Sequence, residues 1–318
     1  MSTLIMSTLI TLSANNWISM WIGLEINMMS FIPLILNKIN KSSSEAAMIY
    51  FLTQSVSSML LLIMVMIMMC KYLVPKNMIN SVIMISIFIK LGAAPFHMWM
   101  PKIMTVMDWS KCCILMTWQK IAPLFMISNL NNNFIMNITI MTSIVIGSLG
   151  GLNQTSIRKM MAYSSINHLG WLLAINKSMN LWIIYLMIYS VMIMSMSYLF
   201  YFYKLNFINQ LSSLNMSNTE KTSFFIMMLS MGGLPPFIGF LPKWITIQSL
   251  IHEHEFLMIF VMIMFSLVTL MYYLRLMTNM FLSYNSSIKW SFNYQSPSTM
   301  IIMMINLSLP VIMIMDII

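Results

Sequence analysis

Apolar residues run through this chain in long, nearly unbroken blocks, and short polar clusters separate one block from the next. A helix that crosses a bilayer needs about 20 apolar residues at 1.5 Å of rise each, and an isolated strand cannot satisfy its backbone in lipid. The blocks therefore predict transmembrane helices. Cutting at the polar clusters places them near 2–13, 16–37, 43–71, 79–107, 109–129, 133–151, 155–176, 180–205, 222–252, 256–283 and 297–316, the first of them short. The separators SANN, NKINKSSSE, VPKN, NLNNN, NQTSIRK and NKSMN, with a longer polar run from Asn206 to Thr222, leave no room for a soluble domain.

Composition agrees. Hydrophobic residues make up 59% and charged residues 7%, with a mean hydropathy of +0.84, whereas a soluble domain carries about 25% charged residues. The chain reads as one integral membrane bundle. MSTLIMSTLI lacks a basic n-region and a small-residue cleavage site, so no cleaved signal is expected. Cys70, Cys112 and Cys113 form no C-x-x-C pair and are expected to be buried apolar thiols. The 43 methionines occur beside only 8 alanines and 2 arginines, a pattern that avoids GC-rich codons. They read as substitutes for leucine on lipid-facing surfaces rather than as copper or haem ligands.

Charge sets the orientation. With eleven spans, the side holding the N-terminus carries Lys38, Lys41, Lys102, Lys111, Arg158, Lys159, Lys204, Lys221 and Lys289. The opposite side carries Lys71, Lys76 and Lys177, together with Glu253, Glu255 and Asp316. This bias puts the N-terminus inside. A solvated inner face accounts for most of the formal charge of +9, so no nucleic-acid partner is needed. His252 and His254, in HEHEF at an outer helix end, are expected to be solvated rather than metal ligands.

Five ionisable residues fall where charge is expensive: Glu25, Lys90, Lys120, His168 and Lys243, on five different spans. A lysine or glutamate at a bilayer centre costs roughly 2.5–3.5 kcal/mol. A single such lysine reads most simply as snorkelling or fixing packing. One carboxylate and one histidine among three lysines points instead to an ion pathway. Two of these residues stand beside a repeated interruption. GAAPFHMWMPK from Gly92 and GLPPFIGFLPK from Gly233 both fit G-x-x-P-F-x-x-x-x-P-K. Glycine and proline interrupt the helical hydrogen-bond ladder, and freed backbone groups at membrane depth are tolerated only where they line protein or water. Gly92 and Pro95 in the fourth span, and Gly232, Gly233, Pro235 and Pro236 in the ninth, therefore mark broken helices. The two spans run in opposite directions, which is the sign of an inverted-repeat transporter core. Lys243 follows its break as a buried residue, whereas Lys102 at the matching place is expected near the inner surface. Lys90, just before the first break, is the better buried candidate.

The blocks WIGLEINMMSFIP, EAAMIYFLTQS, KLGAAPFHMWMPK, LMTWQKIAPL, GGLNQTSIRKMMAYSSINHLGW and LSMGGLPPFIGFLPKW resemble, in order and over nearly the whole chain, the subunit 2 family of mitochondrial NADH:ubiquinone oxidoreductase (respiratory complex I). That family is one of the antiporter-like subunits, similar to Mrp-type Na⁺/H⁺ antiporters. Its bacterial members have fourteen helices and its animal members lack the first three, which agrees with eleven spans here. The resemblance implies that Glu25 pairs with Lys90, that Lys120 is the central lysine and Lys243 the terminal one, and that His168 lies in a hydrated central axis. The short first span departs from the pattern.

The expectation is thus an all-α polytopic membrane protein of about 11 transmembrane helices, two of them discontinuous, in an inverted-repeat antiporter-like core. A first repeat at about 16–129 and a second at about 133–252 precede C-terminal helices at about 256–316. The resemblance implies a proton-translocating membrane-arm subunit of the inner mitochondrial membrane, with its N-terminus in the matrix and its C-terminus in the intermembrane space. Lipids, other membrane-arm subunits and neighbouring antiporter-like subunits would be its partners. No cofactor is expected on this chain, since no cysteine cluster, G-x-G-x-x-G fingerprint or paired metal histidine occurs. NADH, flavin, iron–sulfur clusters and ubiquinone would belong to other subunits. A free-standing Mrp-type cation/proton antiporter and a structural scaffold with a silent polar axis are the rival readings.

Overall fold

A computed structural model describes residues 1–36, 40–70, 75–130, 133–176, 179–212, 216–281 and 298–314. Lys38, Lys71, Lys177, Lys289 and Asp316, used above for orientation, lie outside the described residues. The first part of the chain forms α1 (Ser2–Ser13), α2 (Trp17–Ile35), α3 (Lys41–Met69), α4 (Lys76–Leu91), α5 (Trp99–Val106), α6 (Trp109–Met116) and α7 (Trp118–Ser128). The second forms α8 (Asn133–Leu152), α9 (Ile157–Ile175), α10 (Met179–Phe202), α11 (Ile208–Ser212), α12 (Asn218–Gly232) and α13 (Phe240–His252), then α14 (Phe256–Phe281), α15 (Ser298–Asn306) and α16 (Leu309–Ile314). Among the described residues there is no strand, only an isolated antiparallel bridge between Ser156 and Phe207.

Five helices are individually long and apolar enough to cross a membrane: Trp17–Ile35, Lys41–Met69, Phe134–Leu152, Leu181–Phe202 and Phe256–Phe281. α9 is as long as α2 but carries Arg158, Lys159, Asn167 and His168. From Met160 through Ile175 all its residues are buried except the half-buried Tyr163. A helix enclosed by protein on every side is released from the demand for an apolar surface, and α9 is that central helix.

Small residues let it sit close to α8. A Cβ added at Gly147 would lie 2.6 Å from the Asn167 backbone nitrogen, and one at Gly170 would lie 2.6 Å from Ser143 Oγ. Without a hydrophobic driving force between helices in lipid, such close backbone approach is what packs them.

Polar residues place several helix starts. Asn40 and Ser43 form a capping box at α3, and Ser217 and Glu220 form one at α12, with the Ser217 amide donating to Glu220 Oε2 at 2.9 Å. Three loops meet at one end of the bundle. Trp109 Nε1 donates to the Leu205 carbonyl at 2.9 Å, and the Arg158 guanidinium donates to the Thr105 carbonyl at 2.9 Å and to Asn206 Oδ1 at 2.6 Å.

Four expectations need correction. Cys70 is exposed, because it is the residue that ends α3 and lies past the last turn that packs; Cys112 is buried and Cys113 half-buried. The methionines are not confined to the outside: Met84, Met116, Met126, Met228 and Met262 are wholly buried, as a flexible thioether suits irregular core gaps. Arg158 is not simply solvated but ties the three loops together, and Lys111 is buried with its amine 3.8 Å from Asp108 Oδ2. The block at 109–129 is two helices, not one. Thr117 parts them, its hydroxyl donating to the Cys113 carbonyl at 2.8 Å, a back-bond that bends helices.

Gly147→Ala is expected to force α9 away from α8, because the new Cβ meets backbone rather than a movable side chain. Overpacking of this kind costs about 1–3 kcal/mol. The thermal stability of the detergent-solubilised protein measures it, and an unchanged midpoint would show that the two helices have slack.

Candidate functional site

The two G-x-x-P-F stretches adopt the same backbone. Gly92 follows α4 with φ +70, and Gly233 follows α12 with φ +75, a left-handed conformation that glycine enters without a Cβ penalty. At the first, the Gly92 and Ala93 amides donate to the Ile89 and Phe88 carbonyls. At the second, the Gly233 and Leu234 amides donate to the Ser230 and Leu229 carbonyls. Both are Schellman motifs. The turns that follow also correspond, Phe96 donating to Ala93 and Phe237 to Leu234. The second proline of the motif, Pro101 or Pro242, is the third residue of the restarting helix α5 or α13. There its missing N–H costs nothing, since the first four amides of a helix have no helical partner.

Each interruption frees carbonyls, and the protein supplies their partners. The Lys90 carbonyl accepts from Gln54 Nε2 at 3.3 Å and the Ala94 carbonyl from Thr142 Oγ1 at 3.0 Å, while the Ile89 carbonyl, which already holds the Gly92 amide, accepts also from Trp99 Nε1 at 3.1 Å. At the second, the Gly232 carbonyl accepts from Lys243 Nζ at 2.7 Å, and the Ile238 amide donates to the Asn306 carbonyl at 3.1 Å. Side chains on a helix tilt toward its N-terminus, so Lys243, the fourth residue of α13, reaches back to the interruption. A Cβ at Gly233 would lie 2.7 Å from Lys243 Cδ, Cε and Nζ. The backbone angle calls for glycine there, and the end of the Lys243 chain packs directly over it. Lys102, at the same place in the first copy, is exposed.

Lys90, Lys120, His168 and Lys243 are all buried, with exposures of 6%, 2%, 3% and 5%. Glu25 on α2 is half-buried. Its Oε1 is shielded without a hydrogen-bond partner, and it interacts electrostatically with Lys90 without a direct ion pair among the described residues. Lys90 and Lys120 line one cavity of about 30 Å³, together with Asn27, Tyr50, Gln54 and Gln119.

Lys120 donates from Nζ to the Ser165 carbonyl on α9 at 3.1 Å and lies 5.0 Å over the Tyr189 ring of α10. His168 contacts Tyr185 OH through Nδ1 at 2.9 Å, and its ring centroid is 4.8 Å from that of Tyr189. It interacts electrostatically with both Lys243 and Lys120. Lys243 Nζ lies 5.6 Å from the Trp171 ring centroid, also on α9.

Sequence reasoning passed over Asn27, Gln54, Gln119, Tyr185 and Tyr189. The amides carried a usable signal, since each is a polar residue inside an apolar block. The tyrosines carried none, because aromatic residues are common throughout such helices. Among the described residues no group of three metal-ligating side chains occurs, and His252 and His254 are exposed at the turn between α13 and α14.

Comparison with known proteins places this geometry. The family described as NADH:quinone oxidoreductase/Mrp antiporter, TM, matches residues 14–271. NADH-ubiquinone oxidoreductase chain 2 of Anopheles gambiae is 46% identical over 306 residues, covering 94% of this chain and 87% of the relative. That of Locusta migratoria is 40% identical over 296 residues, covering 91% and 86%. Among solved structures, respiratory complex I from Thermus thermophilus with bound Aureothin superposes with a TM-score of 0.81 at 19% identity, over 95% of this chain and 73% of that one. The membrane-bound sulfane sulfur reductase, an archaeal respiratory membrane complex, gives 0.84 at 16%, over 99% and 72%. At those identities the two structures speak for the fold alone. The sequence match over most of the chain goes further, and the chain belongs to the NADH:quinone oxidoreductase/Mrp antiporter family, alongside the NADH-ubiquinone oxidoreductase chain 2 proteins.

Proposed function

We propose that this chain is a proton-translocating membrane-arm subunit of NADH:ubiquinone oxidoreductase in the inner mitochondrial membrane. Glu25, Lys90, Lys120, His168 and Lys243 form its proton path. One arrangement carries the reading: Lys90 and Lys120 line one cavity, and Lys120 and His168 both lie against the Tyr189 ring. Buried ionisable groups at membrane depth mark ion routes, and lysine and histidine are side chains that can release a proton and take it back. Each lysine would be charged in turn as a proton arrives, held by a carbonyl or an aromatic face, and neutral after it leaves. Glu25 would be the carboxylate partner of Lys90.

On this reading α4 with α5, α6 with α7, α12 with α13 and α15 with α16 are each one interrupted crossing, and the short α11 does not cross, which makes eleven. The repeats at about 16–129 and 133–252 are inverted copies, followed by the helices at about 256–316. The end of the bundle where Thr105, Trp109, Arg158 and Asn206 meet carries Lys102, Lys159 and Lys204, and faces the matrix together with the N-terminus. The C-terminus faces the intermembrane space. The redox chemistry of NADH, flavin, iron–sulfur clusters and ubiquinone belongs to partner subunits of the arm and its neighbours, among them other antiporter-like subunits. No cofactor is assigned to this chain.

Replacing Lys120 tests the path directly. Lys120→Met should leave the subunit assembled and lower proton translocation by about a hundredfold, the scale of a lost proton-transfer group. Lys120→Arg should rescue poorly, because arginine does not release its proton. Proton uptake by proteoliposomes during NADH oxidation reads both, and normal pumping by Lys120→Met would make this lysine structural.

A second test removes no charge. Gly233→Ala places a Cβ against the Lys243 chain and should displace Nζ from the Gly232 carbonyl. Misplacing a reacting group by about 1 Å costs up to about a hundredfold, so translocation should fall while assembly persists. A structure with Lys243 displaced and pumping undiminished would remove Lys243 from the path.

A further inference from the structure

Asn27 on α2 is 3% exposed, and its side-chain oxygen is buried with no hydrogen-bond partner in the protein. Gln119 on α7 has a buried Nε2 in the same condition. Both residues line the cavity that Lys90 and Lys120 share. Leaving a buried polar group without a partner forfeits its hydration with nothing in return, so two of them around one small polar space need an explanation. The cavity measures about 30 Å³, and one water needs about 10–15 Å³ by the same measure, given two to four polar partners. There is room for about two waters, and the walls offer an acceptor, a donor and two lysines.

We infer that Asn27 and Gln119 are positioning residues that hold two water molecules between Lys90 and Lys120, so that these lysines exchange a proton through a fixed wire. The inference rests on the proton path proposed above and adds the groups that set its geometry. The Asn27 oxygen accepts one O–H of the first water and aims its remaining lone pair and O–H along the cavity. The Gln119 N–H donates to the second water and leaves both of its O–H bonds free. In transfer from Lys90, an N–H bond of the ammonium breaks and the first water takes the proton. That water passes one of its own protons to the second, which in turn protonates the neutral Lys120 amine. Both waters end neutral, one proton has moved, and no other reactant is consumed.

The contrary reading, that the two amides only fill space, makes an opposite forecast. Leucine nearly matches asparagine in shape, and methionine approximates glutamine. If no water is held, Asn27→Leu and Gln119→Met delete unpaired polar atoms and should be neutral or stabilising.

The experiment uses the whole respiratory complex carrying the variant chain, reconstituted in proteoliposomes. Proton translocation, its solvent deuterium isotope effect and thermal stability are measured on the same preparations. Asn27→Leu should slow translocation about tenfold, the scale of one hydrogen bond to a charged relay, and should change the isotope effect. Asn27→Ser, which keeps an oxygen acceptor and makes room for water, should recover most of the rate. Wild-type translocation by Asn27→Leu, with equal or higher thermal stability, overturns the inference.

Should Asn27→Leu fail to assemble, Gln119→Met and a map of the unaltered complex at water-resolving resolution decide. Ordered density within hydrogen-bond reach of Asn27 Oδ1 supports the wire, and a dry cavity overturns it. Lys120→Met serves as the control. If it stops translocation while Asn27→Leu does not, only the water assignment falls. If neither affects translocation, the proton path itself is wrong.

Discussion

A bilayer core offers no hydrogen bonds, so every backbone carbonyl released by a broken helix must find its partner inside the protein. That constraint organises the centre of this molecule. The carbonyls of Lys90 and Ala94 draw in Gln54 and Thr142 from two different helices, while that of Gly232 takes the amine of Lys243. The polar residues near the interruptions are therefore answers to a backbone problem before they are anything else. Once gathered, they make an environment in which a lysine can be buried. At the second interruption the freed Gly232 carbonyl is itself the partner of the buried Lys243 amine.

The two copies of the motif share a backbone and differ in where they put charge. Both end a helix at a left-handed glycine, and both restart it with a proline in a place that lacks a helical partner. Yet Lys102 faces outward while its counterpart Lys243 is buried, and the buried lysine of the first copy, Lys90, lies in the last turn before the interruption. One buried lysine thus precedes its interruption in the chain, and the other follows it. Repetition of backbone with variation of charge is what lets a single motif build two unlike ionisable sites.

Much of this was legible in the sequence because it follows from local rules. Apolar runs give helices, Gly and Pro spacing gives the interruptions, and an isolated Lys or His inside an apolar run gives the candidate site. Thr117 escaped detection because a hydroxyl that bonds back to its own helix looks like any other threonine. Cys70 was misplaced because burial at a helix end depends on which neighbour covers it. Asn27 and Gln119 were passed over because an uncharged amide carries no large penalty to draw attention. Their meaning depends on the cavity they share, and that comes from α2 meeting α7, a tertiary fact with no local signature. The tyrosines around His168 are the same case.

The common element is α9. Ser165, His168 and Trp171 recur every third residue on it, and three residues of helix rise about 4.5 Å. At Ser165 it accepts from Lys120, at His168 it presents an imidazole to Tyr185 and Tyr189, and at Trp171 it lies beneath Lys243. Its burial on all sides removes the rotational freedom that would blur those spacings. Gly147 brings α8 against the backbone at Asn167, and Gly170 leaves room for the Ser143 and Ile144 side chains. The packing of these glycines thus sets where α9 holds Ser165, His168 and Trp171 relative to α8. In the proposed path, the rigid central helix is what turns separate buried groups from several elements into one sequence of steps.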